Sequence, residues 1–275
     1  MNADSGQGQL FRSYLGSAPA AYAMAFGSLG AFTLGAWQGS VAVMLGGPAA
    51  VVLAVTAIAW VCADRAAAND FYFRFASSVG LGYARRTDLL TLTPLLGAGS
   101  RRHAEQWMYG RLPGGLTGGV GQFVWEVVDD DSEKTVRERN RFTLCVADLD
   151  PSLPYFRGVY LHPRRGLVAP YSDWLGRTPV RRVEVESTRF VERYDLRAAT
   201  DQDELMLRRL LSPKVVSWLA NHPLEPGFEL KAGTLAVFVP RPLRDAGNLT
   251  YLIDATRMLA ERVAGEVGEE LARSV

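Results

Sequence analysis

Three carboxylates fall within four residues at Asp201-Gln202-Asp203-Glu204, a density at which acid/base chemistry or metal ligation is worth testing. Thr200 precedes them, and Thr-x-x-Asp is close to a capping box, with Asp203 three positions after the cap. Acids in a first turn also offset the positive end of the helix dipole. The spacing therefore predicts a helix start capped by Thr200. "SPK" follows, with Ser212 as N-cap and Pro213 as first helical residue of a second helix, "PKVVSWLANH". Leu207, Leu210, Leu211, Val215, Trp218 and Leu219 form the apolar side expected to face a sheet.

Other chemistry-bearing residues make weaker patterns. Asp129-Asp130-Asp131 lacks the Asp-x-Asp-x-Asp-Gly spacing and terminal Glu of a calcium loop, and "DDDSEKTVRERN" is expected to be a solvated connection. "GRLPGGLTGGVGQ" lacks the ending of a phosphate loop and is expected to be a flexible hairpin connection. His103, His162 and His222 are scattered, with no nucleophile motif beside any of them. Arg164 and Arg165 in "HPRRG", with Arg181 and Arg182 in "PVRR", are a candidate anion or headgroup contact. Arginines facing an inner leaflet explain the same residues. Cys62 and Cys145 suggest neither a disulfide framework nor a zinc site, which fits a reducing compartment. No pattern calls for a cofactor or a metal.

What positions these residues starts with an uneven distribution of charge. Overall the chain is nearly neutral, at +1, with only three lysines, so no electrostatic footprint points to nucleic acid. Yet Ser13–Ala63 holds 51 residues without one charged side chain. At about 1.5 Å per residue, this is room for two bilayer spans. A turn at Trp37-Gln38-Gly39-Ser40 leaves spans near 16–36 and 41–63, with Pro48 inside the second, and is preferred to one at Gly46-Gly47-Pro48. A cleaved signal peptide competes with this reading, but the N-terminus has only Arg12 as a basic residue and the apolar run is too long. Arg12 before the hairpin, and Arg65, Arg74, Arg85 and Arg86 after it, place both ends on the cytoplasmic side.

Small residues recur at Ala23, Gly27, Ala31, Gly35 and Gly39, along one face of the first span. That face is expected to pack on the second span, with Ala50 and Ala54 as contacts, or to pair two copies into a homo-oligomer. Past Ala63, Phe71, Tyr72, Phe73 and Phe75 mix with Arg65 and Arg74. An interfacial helix and an amphipathic core helix both account for the pattern.

Beyond it, Arg85–Gly119 reads as loop and short elements. Strand signals then follow in "QFVWEVV", "RFTLCVADL", "YFRGVYLHP", "VRRVEVES", "RFVERYDLRA" and "FELKAGTLAVFVP", the last turning at Gly233. A final helix over about 246–272 carries Leu249, Leu252, Ile253, Thr256, Leu259, Ala260, Val263 and Val267 as a stripe. The expected class is α+β: a tail over 1–14, a transmembrane helical hairpin over 15–63, a juxtamembrane helix over 64–80, and a cytosolic antiparallel-sheet domain with late packing helices over 81–275.

"LTPLLGAGSRRHAEQWMYGRL", "RFTLCVADL", "VEVESTRFVERYDLRAATDQDELMLRRLLSPKVVSWLA" and "FELKAGTLAVFV" resemble blocks of an uncharacterised actinobacterial family of two-span membrane proteins with a cytosolic domain of unknown function. The likeness runs from about Leu92 onward and is most specific over Glu186–Ala220. It implies membrane anchoring and topology, supports a structural role for the Leu-Ser-Pro block, and carries over no activity or catalytic residue. Two function classes stay open. One is a membrane-anchored binding or scaffolding module for a protein, headgroup or small ligand. The other is a membrane-bound enzyme whose site is assembled from dispersed residues such as His162, Arg164 and Asp173.

Overall fold

The computed structural model describes residues 4–129, 132–149, 152, 154–165 and 179–273. The chain divides into two units, Met1–Phe71 and Tyr72–Val275.

In the first unit, α1 covers Asp4–Leu15, so the expected tail is helical. Next, α2 covers Ala18–Trp37 and α3 covers Val41–Ser78. The turn falls where the composition put it. Gly39 takes φ +63, and Ser40 N–H donates to Gly35 O across the end of α2. A left-handed φ at that position suits glycine, which has no Cβ to clash. The small-residue face of α2 meets α3 closely in antiparallel order. A Cβ added at Gly27 would stand 2.8 Å from Val51, one at Gly47 2.8 Å from Ala31, and one at Gly35 2.5 Å from Met44 N. The glycine contacts across the pair are thus Val51, Ala31 and Met44, while Ala50 and Ala54 are exposed. Pro48 lies inside α3, which is long and apolar enough to cross a membrane and whose most apolar 18-residue window is not buried inside the structure.

The second unit is α+β, built on one nine-stranded antiparallel sheet. The strands are β1 (Gly82–Thr87), β2 (Arg101–Arg111), β3 (Thr117–Asp129), β4 (Ser132–Asp148), β5 (Val159–Pro163), β6 (Val180–Arg182), β7 (Tyr194–Ala199), β8 (Gly227–Lys231) and β9 (Thr234–Val239). Their order is β1-β2-β3-β4-β9-β8-β5-β7-β6. Four helices complete it: α4 (Thr188–Arg193), α5 (Glu204–Leu210), α6 (Pro213–Asn221) and α7 (Ala246–Arg273).

Three sequence expectations are corrected here. Arg85–Gly119, expected as loop, holds β2 and parts of β1 and β3; a shift in pairing between Glu105 and Met108 blurs the alternation that would have revealed β2. "DDDSEKTVRERN" is mostly strand, because β3 and β4 stay paired out to Asp129 and Ser132, whereas Asp130 and Asp131 lie outside the described residues. "RFVERYDLRA" is not one strand: α4 occupies its first half, its start capped by Ser187 Oγ accepting from Phe190 N–H. The glycine run also divides. Gly114 and Gly115 make the turn with φ +93 and +89, but Gly119 and Gly121 lie within β3, where a Cβ would collide with the Trp107 ring and with Gln106 O respectively.

Alternation along the strands gives the sheet two distinct faces. Cys145, Val237, Phe228, Leu161 and Leu196 make one row across β4, β9, β8, β5 and β7. This face carries α7: Thr256 hydrogen-bonds Cys145, and every residue of the expected apolar stripe of α7 is buried. Phe123, Trp125, Phe142, Leu144 and Phe238 lie on the opposite face, packed with Leu95, Leu96 and Ala98 of the connection between β1 and β2. The aromatics that follow Ala63 divide as well. Tyr72 and Phe75 are buried, Tyr72 donating to Leu243 O at 2.5 Å, while Phe73 is exposed. For Tyr72 and Phe75 the core-helix reading holds.

A polar row on the sheet as the candidate functional site

The register Val146–Ala236–Glu229–Tyr160–Arg197–Arg182 crosses six strands on the face opposite α7, changing along its length from apolar to charged. Alternation places Glu229 here, because Phe228 and Leu230 take the other face. Its side chain is fully buried. His162, two residues from Tyr160 on β5 and so on the same face, puts Nε2 3.1 Å from Glu229 Oε1. Leu95 N–H donates to the other carboxylate oxygen at 2.8 Å. The carboxylate therefore binds β5 and the β1–β2 connection at once, and the His162 ring also meets Phe238 with centroids 5.7 Å apart.

Tyr160 sits opposite Glu229 on the adjacent strand. Burial pushes its hydroxyl up to about 12, and the negative charges of Glu229 and Asp201 add to the rise. It stays a neutral phenol at physiological pH. Gly158 leaves room for it, since a Cβ there would overlap the Tyr160 hydroxyl. Further along, Asp195 holds Arg197 at 2.8 Å and Arg182 at 3.7 Å, where the row reaches solvent.

An imidazole beside a carboxylate is an acid/base pair in kind. Here His162 is 3 % exposed and Glu229 is 0 % exposed, so the pair is closed to water and works as a pin between layers. Arg164 is likewise occupied: its Nε donates to Val191 O at 2.6 Å and Tyr194 O at 3.1 Å, closing the end of α4. Asp173 lies outside the described residues. The remaining arginines separate. Arg181 is ion-paired with Glu204, Arg182 points to the opposite face with Asp195, and Arg165 is exposed. The other histidines lie elsewhere. His103 Nε2 is 3.1 Å from Glu105 on β2, and His222 Nδ1 accepts from Leu224 N–H at 3.2 Å. Burial holds His222 below the usual histidine range.

The acidic run proves to be a cap, displaced from its expected register. Asp203 rather than Thr200 is the N-cap of α5, its Oδ1 accepting from Met206 N–H at 2.8 Å. Glu204 pairs with Arg181 and Arg208, the Arg181 hydrogen bond foremost in lowering its pKa. Thr200 lies before the helix start, its N–H donating to Pro179 O. Between the acids, Gln202 is the buried residue: its Oε1 accepts from Arg157 N–H at 2.8 Å and its Nε2 donates to Tyr155 O at 3.1 Å. Among the described residues, no group of three or more His, Cys, Asp or Glu side chains is placed to hold a metal ion.

Sequence reasoning passed over Glu229, Tyr160 and Gln202. The one signal for Glu229 was a lone acid inside "FELKAGTLAVFV", a run otherwise apolar enough to be buried on both faces.

No family model matches the chain, and no curated protein matches it. A solved structure with a similar arrangement is that of the mycobacterial trehalose monomycolate transport factor A, TtfA. It is 11 % identical, with a TM-score of 0.48, over 71 % of this chain and 94 % of that one.

Proposed function

We propose that the protein is a membrane-anchored binding module. In this reading α2 and α3 cross the bilayer as a hairpin, both chain ends face the cytoplasm, and the sheet unit meets its ligand there. The observation that carries the anchor is the apolar window of α3, which is unburied. In water its side chains Leu45, Leu53 and Ile58, and Phe26 and Leu29 of α2, would be exposed at large free-energy cost. In lipid they are at home. α2 carries no charge along its 20 residues and supplies the second span. Its small-residue face is occupied by α3, so two copies pairing through it would have to displace α3.

Binding is favoured over catalysis because the polar groups of the sheet are committed to holding layers together. Glu229, His162, Arg164 and Gln202 each bridge elements. An anionic headgroup, where the unit meets one, falls to Arg165, since Arg164, Arg181 and Arg182 each have an internal partner.

Impermeant thiol labelling of intact cells tests the topology in a Cys62→Ala background. Gln38→Cys in the turn is expected to label from outside, and Thr250→Cys on α7 only after lysis. Labelling of Thr250→Cys from outside would overturn the assignment.

A further inference from the structure

Glu184 and Glu186 are exposed, and neither has an ion-pair or hydrogen-bond partner among the described residues. Exposure alternates with half-burial from Arg182 to Ser187, the period of an extended chain. Both carboxylates thus lie on one side, about 7 Å apart, with Val183 and Val185 on the other. The backbone is open too. Val183 N–H donates to Leu196 O at 3.0 Å, the last bond to β7. Alternation turns the amides of Glu184 and Glu186 away from β7, where they donate to nothing among the described residues, and Ser187 N–H then turns back to Val185 O. Unpaired amides continuing an edge strand are a template for another strand.

Beside this segment an open groove of about 760 Å³ runs along α4, α5 and α6. Leu207, Leu211, Val216 and Ala220 give it an apolar lining. Within it Glu204 is ion-paired with Arg181 and Arg208, whereas Glu184, Glu186 and Arg189 have no ion-pair partner among the described residues.

We propose that this groove binds an extended segment of a partner protein in which apolar and basic residues alternate. The segment pairs with the backbone of Glu184–Glu186, sends its apolar side chains into the groove, and sets Lys or Arg against the two carboxylates. Charge selects this occupant. An acidic strand would set like charges opposite the two unpaired carboxylates, and a second copy pairing edge to edge about a two-fold axis would oppose acids to acids. The proposal names the ligand class of the binding module above and rests on that reading.

The test uses the full-length protein in detergent micelles and fluorescence anisotropy of two labelled short peptides, one alternating arginine with valine and one alternating glutamate with valine. The arginine peptide is expected to bind and the glutamate peptide not. Glu184→Lys with Glu186→Lys is expected to weaken binding at least about tenfold. Glu184→Pro, which removes an outward amide along with the charge, is expected to weaken it further than Glu184→Gln, which removes the charge alone. Equal binding of the two peptides, or undiminished binding by the double lysine variant and by Glu184→Pro, overturns the proposal. So does self-association of the parent that the double lysine variant abolishes, since the occupant is then a second copy. Retention in carbonate-washed membranes reads the anchor separately, so a protein that stays in the membrane but ignores the peptide loses only the groove assignment.

Discussion

His162 on β5 and Glu229 on β8 meet at 3.1 Å with almost no exposure, and the same carboxylate accepts the Leu95 amide. One side chain thereby joins two strands to the connection that covers them. Removing a partner from a buried pair strands the other charge or dipole, which costs about 3–5 kcal/mol. Glu229→Leu is expected to lose stability on that scale in a thermal or urea melt of the micellar protein. Glu229→Gln still accepts from Leu95 N–H and is expected to lose less. Equal losses would show that shape alone matters there.

Glu105 makes a second prediction, this one in pH. Burial alone would raise its pKa, but the hydrogen bond with His103 and the charges of Arg141 and Arg139 outweigh burial and hold it below the ordinary 4.5. A folded pKa below the unfolded one stabilises the fold above the unfolded value. That contribution is complete above 4.5 and drains away as pH falls through the folded pKa. Arg141→Met is expected to flatten the fall in melting temperature below pH 4.5, and an unchanged acid limb would refute the linkage.

Cys145 is buried beneath α7, and burial pushes its thiol up to about 12. It is expected to resist a thiol reagent at pH about 8 until the protein unfolds, because only the thiolate reacts. Cys62, exposed on α3, is the thiol open to a lipid-soluble reagent in the native state. Two thiols reacting before unfolding would contradict the packing of α7.

The cap of α5 offers a register test. Asp203→Ala is expected to cost about 1 kcal/mol and Thr200→Ala much less. Gln202→Ala is expected to exceed both, since it orphans the Arg157 amide and the Tyr155 carbonyl in a buried site. Chemical denaturation of the three variants orders them.

For the helical hairpin, Gly35 approaches the backbone of Met44 too closely for any side chain. Ala31→Leu with Gly35→Leu is expected to force α2 and α3 apart and lower the yield of inserted protein, while Leu29→Ala, at an exposed position, leaves it near the parent. Equal yields would mean that the close face contributes nothing to assembly.

Where local chemistry decides, the sequence was sufficient. An uncharged run of known length, a glycine at the turn, a valine-rich strand and an apolar stripe at helical spacing each act within a few residues, and Gly39, Gly233 and the buried stripe of α7 stand where their spacing put them. Ala232 and Gly233 both take positive φ, as the tight turn between β8 and β9 requires. What escaped was settled by partners far along the chain. β2 survives its irregular pairing because β1 and β3 flank it. Thr200 is held to Pro179 in the segment before β6, and the helix starts later, at the Asp203 cap. Glu229 becomes a buried pin only when β5 and the β1–β2 connection arrive beside it, 67 and 134 residues away in sequence. A lone acid in a strand says nothing of which face it will take or who will meet it there. That depends on strand order, and strand order is set by the packing of the whole sheet.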